Sequence, residues 1–145
     1  MVFDYNLIPY WAKNNISKIK MMGLFNSVFG QSKEREDKFS FWIPIGTTDD
    51  WESAKLKSFE QKIAIFKHST RCGISTRVKS NFEKEVQETN PPVIFYYLDL
   101  LAHRDISALI ASDLGIIHQS PQLIVLENGK IKSHASHSDI SIDLL

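Results

Sequence analysis

This sequence of 145 residues contains a single cysteine, Cys72. One cysteine cannot form a disulfide within the chain, so we expect a fold that does not depend on an oxidising compartment. The chain has no apolar run of the roughly 18–20 residues that a membrane-spanning helix needs, which argues against a membrane protein. It carries 17 basic and 17 acidic residues, and this lack of net charge argues against general nucleic-acid binding.

The first residues of the chain lack the pattern of a secretory signal peptide. Asp4 stands early, and the polar segment Lys13-Asn14-Asn15 interrupts the apolar residues before a uniform hydrophobic region forms. We therefore expect a cytoplasmic protein. A hydrophobic fraction of 43% and a charged fraction of 23% are ordinary for a globular chain, and the length is enough for one domain with its own core.

The sequence pattern changes near Thr48. Residues 1–48 hold scattered aromatic residues and a mixed-charge stretch at residues 33–38. We interpret them as an N-terminal extension and linker that is partly disordered. Residues 49–145 show a regular alternation of strand-like and helix-like segments, and we predict that they form the folded domain.

Capping residues, turn residues and apolar spacing predict the elements of this domain. Residues 49–52 resemble a capping box and open a short helix that reaches about Glu60. One helix with apolar residues at i+4 spacing ends near Glu88, and another ends at Gly115. The predicted strands are residues 62–66, 93–98, 122–126 and 130–133, with a hairpin turn at Asn128-Gly129 and a short closing helix from Ser138.

The order of these elements predicts the fold. The first three strands alternate with helices, which implies parallel βαβ units, and the hairpin adds an antiparallel strand. This is the order of the thioredoxin fold, an α/β fold in which helices flank a central mixed sheet. In that fold a reactive cysteine follows the first core strand and opens the next helix, and Cys72 occupies this position.

Cys72 is therefore the candidate nucleophile. At the start of a helix, free N–H groups and the positive end of the helix dipole favour a thiolate over a thiol. Residues 61–82 contain five Lys and Arg residues and no Asp or Glu, although the whole chain is neutral. The alternative is a buried, inert cysteine, but Arg71 and Gly73 flank Cys72 in a polar loop.

Ser75 and Pro121 stand at two further informative positions. A dithiol thioredoxin has its second cysteine where Ser75 stands, so Cys72 would act by a monothiol route in which a second thiol releases the bound partner. Ser75 either donates a hydrogen bond to the Cys72 thiolate or satisfies N–H groups of the first helical turn. Pro121, which follows Ser120, matches the cis-proline of this fold; the alternative is a trans proline that opens a strand.

The histidines are weaker candidates. His68 either adjusts the charge around Cys72, transfers protons or is merely exposed, and we expect His118 to lie near the substrate groove. His134 and His137 form a pair at metal-ligand spacing, but no other ligands stand near them in the sequence. We expect no metal site.

Three separated motifs resemble the YtxJ-like monothiol bacilliredoxins, and they occur in the correct order. The motifs are Phe66-Lys-His-Ser-Thr-Arg-Cys-Gly-Ile-Ser75, then Tyr97-Leu-Asp-Leu100 with Arg104-Asp-Ile-Ser107, and then His118-Gln-Ser-Pro-Gln122. The resemblance covers roughly residues 49–145. Many members have proline after the cysteine, whereas this chain has Gly73, which loosens the first helical turn.

The resemblance implies a thioredoxin fold and a redox activity. Cys72, with Ser75, would carry the catalysis and remove bacillithiol, a small anionic thiol, from mixed disulfides on cytoplasmic proteins. Bacillithiol would be a co-substrate, and no cofactor would be tightly bound. The residues expected to contact the substrate are His68, Arg71, Gly73, Ser120 and Pro121.

Two other functions stay open at this point. The segment Cys72-Gly-Ile-Ser75 also resembles the Cys-Gly-Phe-Ser motif of monothiol glutaredoxins, which share an iron–sulfur cluster and act as carriers. However, His68-Ser69-Thr70 replaces the lysine-glycine-threonine segment that precedes that motif. The other alternative is a non-catalytic interaction module of thioredoxin fold whose cysteine is inert.

Overall fold

The computed structural model describes residues 41–145, so residues 1–40 of the predicted extension lie outside the described part. The described residues form five strands and three α-helices. In chain order these are β1 (Ile43–Pro44), α1 (Thr48–Lys57), β2 (Ile63–His68), α2 (Gly73–Thr89), β3 (Ile94–Asp99), α3 (Arg104–Leu114), β4 (Gln122–Glu127) and β5 (Lys130–Ser136), followed by the 3-10 helices His137–Asp139 and Ile142–Leu144. The single closing helix predicted from Ser138 is therefore wrong, because the chain end forms two short 3-10 turns.

The five strands form one sheet in the order β1-β3-β2-β4-β5, with β2 at the centre. Strands β1 and β2 both run parallel to β3. Strand β4 runs antiparallel to β2, and β5 runs antiparallel to β4. The predicted mixed sheet is confirmed, but the prediction that β2, β3 and β4 are all parallel is wrong.

The connection between α3 and β4 explains the reversed direction of β4. Near the carboxyl end of β2, the Lys67 ammonium donates to the Ser107 carbonyl in the first turns of α3. Gly115 ends α3 with a φ of 65°, and residues 115–121 return the chain to that same end of β2, where Gln122 pairs with Lys67. Seven extended residues span up to about 23 Å, which exceeds the roughly 16 Å length of an eleven-residue helix.

The sheet buries a hydrophobic core on each face. Successive side chains of a strand point to opposite faces. In β2, Ile63 and Ile65 therefore contact the core covered by α1 and α3, while Ala64 and Phe66 contact the core covered by α2. Burial on both faces explains why β2 has a nearly continuous apolar sequence.

Helix α1 begins earlier than predicted. Its capping box consists of Thr47 and Asp50: the Thr47 hydroxyl accepts from the Asp50 N–H, and the Asp50 carboxylate accepts from the Thr47 N–H. The helix also ends earlier, at Lys57 rather than near Glu60. The sequence pattern therefore located this helix but misplaced both of its ends.

The packed domain includes residues before position 49. Phe41 and Trp42 pack against the core beneath α2, and β1 pairs with β3. Ile45, just after β1, is only 1% exposed and belongs to the core on the other face. A strand of two residues is too short to show an alternating pattern, so the sequence did not predict it.

Two matched substitutions measure how much this early segment contributes to the stability of the domain. Ile45→Ala removes a fully buried side chain, so we expect the free energy of unfolding to fall by about 2–4 kcal/mol. Ile43→Ala, at a position that is 38% exposed, should change it by less than about 1 kcal/mol. Equal effects in urea denaturation would contradict the packing of Ile45.

Candidate active site

Cys72 lies at the junction between β2 and α2. The chain leaves β2 after His68, and Cys72 is the N-cap residue of α2, with an extended backbone at φ −103° and ψ 114°. Its carbonyl accepts hydrogen bonds from the Thr76 N–H at 3.0 Å and the Thr76 hydroxyl at 3.2 Å. These contacts fix the backbone of Cys72 and leave its side chain at the amino terminus of the helix.

The surroundings of the Cys72 sulfur suit an anion. The side chain is half-buried, and its sulfur makes no hydrogen bond within residues 41–145. The first turn of α2 contains no acidic residue, and Arg71 and Arg77 are exposed on either side. Free N–H groups at a helix amino terminus attract negatively charged groups.

Gly73 leaves the space beside Cys72 open. It is exposed, and a Cβ atom built on it would meet no atom within 4 Å apart from its chain neighbours and the backbone of its own helix. This position is therefore not held by packing against other parts of the chain.

The Ser120–Pro121 segment lies at the same edge of the sheet as Cys72. Lys67 of β2 pairs with Gln122 of β4, so the next residue on β2 and the preceding residue on β4, His68 and Pro121, stand side by side. The peptide bond between Ser120 and Pro121 is cis. Within residues 41–145, the Ser120 Oγ atom is buried and has no hydrogen-bond partner.

Polar side chains hold this proline loop in place. The Gln122 side chain donates to the Ile117 carbonyl at 3.0 Å and accepts from the Gln119 N–H at 3.4 Å. The Nδ1 atom of His118 lies 3.1 Å from the Ser107 hydroxyl of α3. Burial lowers the pKa of His118, and the nearby Lys67 ammonium lowers it further.

Lys67 is a buried cation that the sequence reading did not select. Its side chain is fully buried, and its ammonium donates to the Ser107 carbonyl at 3.1 Å. Burial lowers the pKa of Lys67 to about 8. The available signal was its place between Phe66 and His68, in a strand that is buried on both faces.

His68 and Ser75 contact one another beneath the cysteine loop. The His68 Nδ1 atom lies 2.7 Å from the Ser75 hydroxyl oxygen, which also accepts from the Ser69 N–H at 3.2 Å. Both side chains are buried, so neither faces solvent. Burial lowers the pKa of His68; Lys79 adds to this effect, and Asp99 opposes it.

Tyr97 borders this pair from β3, and sequence reasoning did not assign it a role. Its ring centroid lies 5.8 Å from that of His68, and the Lys79 ammonium lies 5.4 Å from the Tyr97 ring centroid. Burial raises the pKa of Tyr97 to about 12, and nearby Asp99 and Glu83 contribute to this rise. The side of the site nearest β3 is therefore aromatic and partly buried.

His134 and His137 remain among the sequence candidates. His134 and His137 are exposed, at the end of β5 and in the following turn. Within residues 41–145, no three His, Cys, Asp or Glu side chains are grouped so that they could hold a metal ion. No helix in this part of the chain is long and apolar enough to cross a membrane.

The strand order and the single cysteine at the amino terminus of α2 define a thiol oxidoreductase of the thioredoxin class. The family model for monothiol bacilliredoxin BrxC matches residues 43–145. The chain therefore belongs to the monothiol bacilliredoxin family, which confirms the family predicted from the three sequence segments.

Solved structures confirm the predicted thioredoxin fold. A protein described as a candidate oxidoreductase with a thioredoxin fold is 28% identical, with a TM-score of 0.64 over 72% of this chain and 89% of that chain. Thioredoxin from Fasciola hepatica is 18% identical, with a TM-score of 0.55 over 66% and 86% of the two chains. Thioredoxin from Trypanosoma brucei brucei is 16% identical, with a TM-score of 0.56 over 76% and 88%. These two thioredoxins support the fold alone.

The open space at Gly73 predicts that proline is accepted there. Proline suits the first position of a helix, and the extended backbone of Cys72 is the conformation that a following proline requires. We expect Gly73→Pro to raise the free energy of unfolding by about 0.4–1 kcal/mol, because it restricts the unfolded chain. Gly115→Pro is the matched control: Gly115 has a φ of 65°, which proline cannot adopt, so this variant should be less stable than the parent. Urea denaturation measures both, and a destabilised Gly73→Pro variant would contradict this geometry.

Proposed function

We propose that this protein removes bacillithiol from mixed disulfides on cytoplasmic proteins, with Cys72 as the nucleophile. The observation that carries the proposal is the position of the chain's one cysteine, at the amino terminus of α2 and at the sheet edge where the Ser120–Pro121 loop lies. Membership of the monothiol bacilliredoxin family supports the same reaction.

The first step is a thiol–disulfide exchange. The Cys72 thiolate attacks the bacillithiol sulfur of the mixed disulfide, and the bond between that sulfur and the client sulfur breaks. A disulfide between Cys72 and bacillithiol forms, and the client leaves as a thiolate that takes a proton from water. One disulfide bond replaces another, so no external oxidant or reductant is required.

The second step needs another thiol. Since Ser75 carries oxygen and the chain has no second cysteine, Cys72 cannot be released by an internal disulfide. A second bacillithiol thiolate attacks the bacillithiol sulfur that is bound to Cys72. This attack releases the Cys72 thiolate and forms bacillithiol disulfide, so bacillithiol acts as a co-substrate rather than as a resident cofactor.

The polar groups around Cys72 support recognition of a small anionic thiol. Arg71 is exposed next to Cys72, and its planar guanidinium matches the geometry of a carboxylate such as those of the malate group of bacillithiol. The open space at Gly73 leaves room for the client protein.

The reaction predicts that a modified client is restored only when the thiol is at position 72. A client protein that carries bacillithiol on one cysteine is incubated with the protein and excess bacillithiol, and the intact mass of the client is followed. We expect the parent protein to restore the client and Cys72→Ser to leave it at the uncatalysed rate. In the control, Ser80→Cys is combined with Cys72→Ser, which moves the only thiol to an exposed position in the middle of α2; this variant should also be inactive.

Two outcomes test the reaction and the preference for bacillithiol separately. If the parent protein leaves the client modified, de-bacillithiolation is wrong. The same client can also be prepared with glutathione on its cysteine. If the protein releases this glutathione as fast as it releases bacillithiol, monothiol exchange holds but the preference for bacillithiol is wrong.

A further inference from the structure

Ser75 occupies the place of a second cysteine, yet its hydroxyl is directed away from the chemistry expected there. The side chain is fully buried, and its oxygen contacts the His68 Nδ1 atom at 2.7 Å and the Ser69 N–H at 3.2 Å. Within residues 41–145 it makes no hydrogen bond to the sulfur of Cys72. The contacts with His68 and Ser69 therefore indicate the role of Ser75.

The hydrogen bonds of the Ser75 hydroxyl favour one direction for the bond between Ser75 and His68. A serine hydroxyl has one proton to donate and two lone pairs that accept, and the Ser69 N–H occupies one of the lone pairs. If His68 also donated through Nδ1, the Ser75 proton would have no acceptor among the described residues. If Ser75 donates to Nδ1, the Ser75 hydroxyl both donates and accepts, and the ring proton of neutral His68 lies on Nε2.

This bond is connected to the backbone of Cys72. The Ser69 N–H is held by Ser75, and the Ser69 carbonyl accepts from the Cys72 N–H at 3.1 Å. The first turn of α2, the end of β2 and the cysteine loop are therefore joined by consecutive hydrogen bonds. A displaced Ser75 hydroxyl would release Ser69 and, with it, the backbone that places Cys72 at the start of the helix.

We propose that His68 and Ser75 form a positioning pair, in which Ser75 donates its proton to Nδ1 of His68 and thereby holds the loop that orients Cys72. In this arrangement Ser75 does not donate to the thiolate, which is left to the N–H groups of the helix start. The inference concerns the geometry of the site and not its substrate, so it stands or falls separately from the proposed removal of bacillithiol.

The surroundings of His68 favour the neutral ring that this pair requires. A protonated ring would carry a proton on Nδ1 and could no longer accept from Ser75. Burial lowers the pKa of His68, and Lys79 on α2 lowers it further. Asp99 at the end of β3 and Glu83 on α2 oppose this effect, and Tyr97 packs against the ring. The net lowering keeps Nδ1 free to accept at neutral pH.

The first test reads the histidine ring directly in the parent protein. Long-range ¹H–¹⁵N correlation spectra distinguish a proton on Nε2 from one on Nδ1. We expect neutral His68 to carry its proton on Nε2 only, and to lose this preference in Ser75→Ala. A proton on Nδ1 in the parent protein would overturn the proposal, whatever the behaviour of the variants.

The second test measures the reactivity of Cys72 with iodoacetamide, a small probe that needs no bacillithiol. Ser75→Ala and His68→Gln each remove the hydrogen bond of the pair. We expect each substitution to lower the alkylation rate of Cys72 by about threefold to tenfold. The double variant should be no slower than the slower single variant, within about twofold, because both changes break the same contact. Ser80→Ala, an exposed serine on the same helix, should react at the parental rate.

The two tests together separate positioning from general damage to the fold. Circular dichroism and thermal unfolding establish that each variant is folded before its rate is compared. Additive effects of His68→Gln and Ser75→Ala in folded variants would contradict a shared role. A parental alkylation rate in Ser75→Ala would also overturn it.

Discussion

The site depends on the pairing of β2 with a parallel strand on one side and an antiparallel strand on the other. The parallel partner, β3, lets α2 start beside the end of β2, which places Cys72 at that edge of the sheet. The antiparallel partner, β4, begins where β2 ends, so the Ser120–Pro121 loop reaches the same edge from the other direction. A nucleophile and a loop 48 positions later in the chain are thus brought together by backbone hydrogen bonds of one buried strand.

Two adjacent polar residues of β2 contact the two loops of the site, the cysteine loop and the Ser120–Pro121 loop. Because successive side chains of a strand face opposite ways, His68 points towards α2 and Lys67 towards α3. His68 contacts Ser75 below the cysteine loop, and Lys67 contacts Ser107, which also contacts His118 of the proline segment. A buried polar group that loses its partner costs about 1–3 kcal/mol, so these contacts constrain which arrangements of the two loops are stable.

The sequence predicted the features that repeat along the chain and missed those that depend on a partner far away. The apolar runs located β2, β3 and β4, and the position of Cys72 after the first core strand identified the candidate nucleophile. The direction of β4 was predicted wrongly, because strands and helices alternate along the chain in the same way whether β4 runs parallel or antiparallel to β2. Strand β1 is too short for a pattern, and the contact between His68 and Ser75 arises from a loop whose shape the residue types do not determine.

The central claim is that Cys72 itself accepts the small thiol from the client. The most direct measurement is a single-turnover time course of the intact mass of this protein, in its reduced form, mixed with an excess of bacillithiol-modified client and no free bacillithiol. The account predicts that one bacillithiol adduct appears, that peptide mapping places it on Cys72, and that it forms with the same rate constant as the unmodified client. Release of the client without an adduct on Cys72, or no release at all, would contradict it.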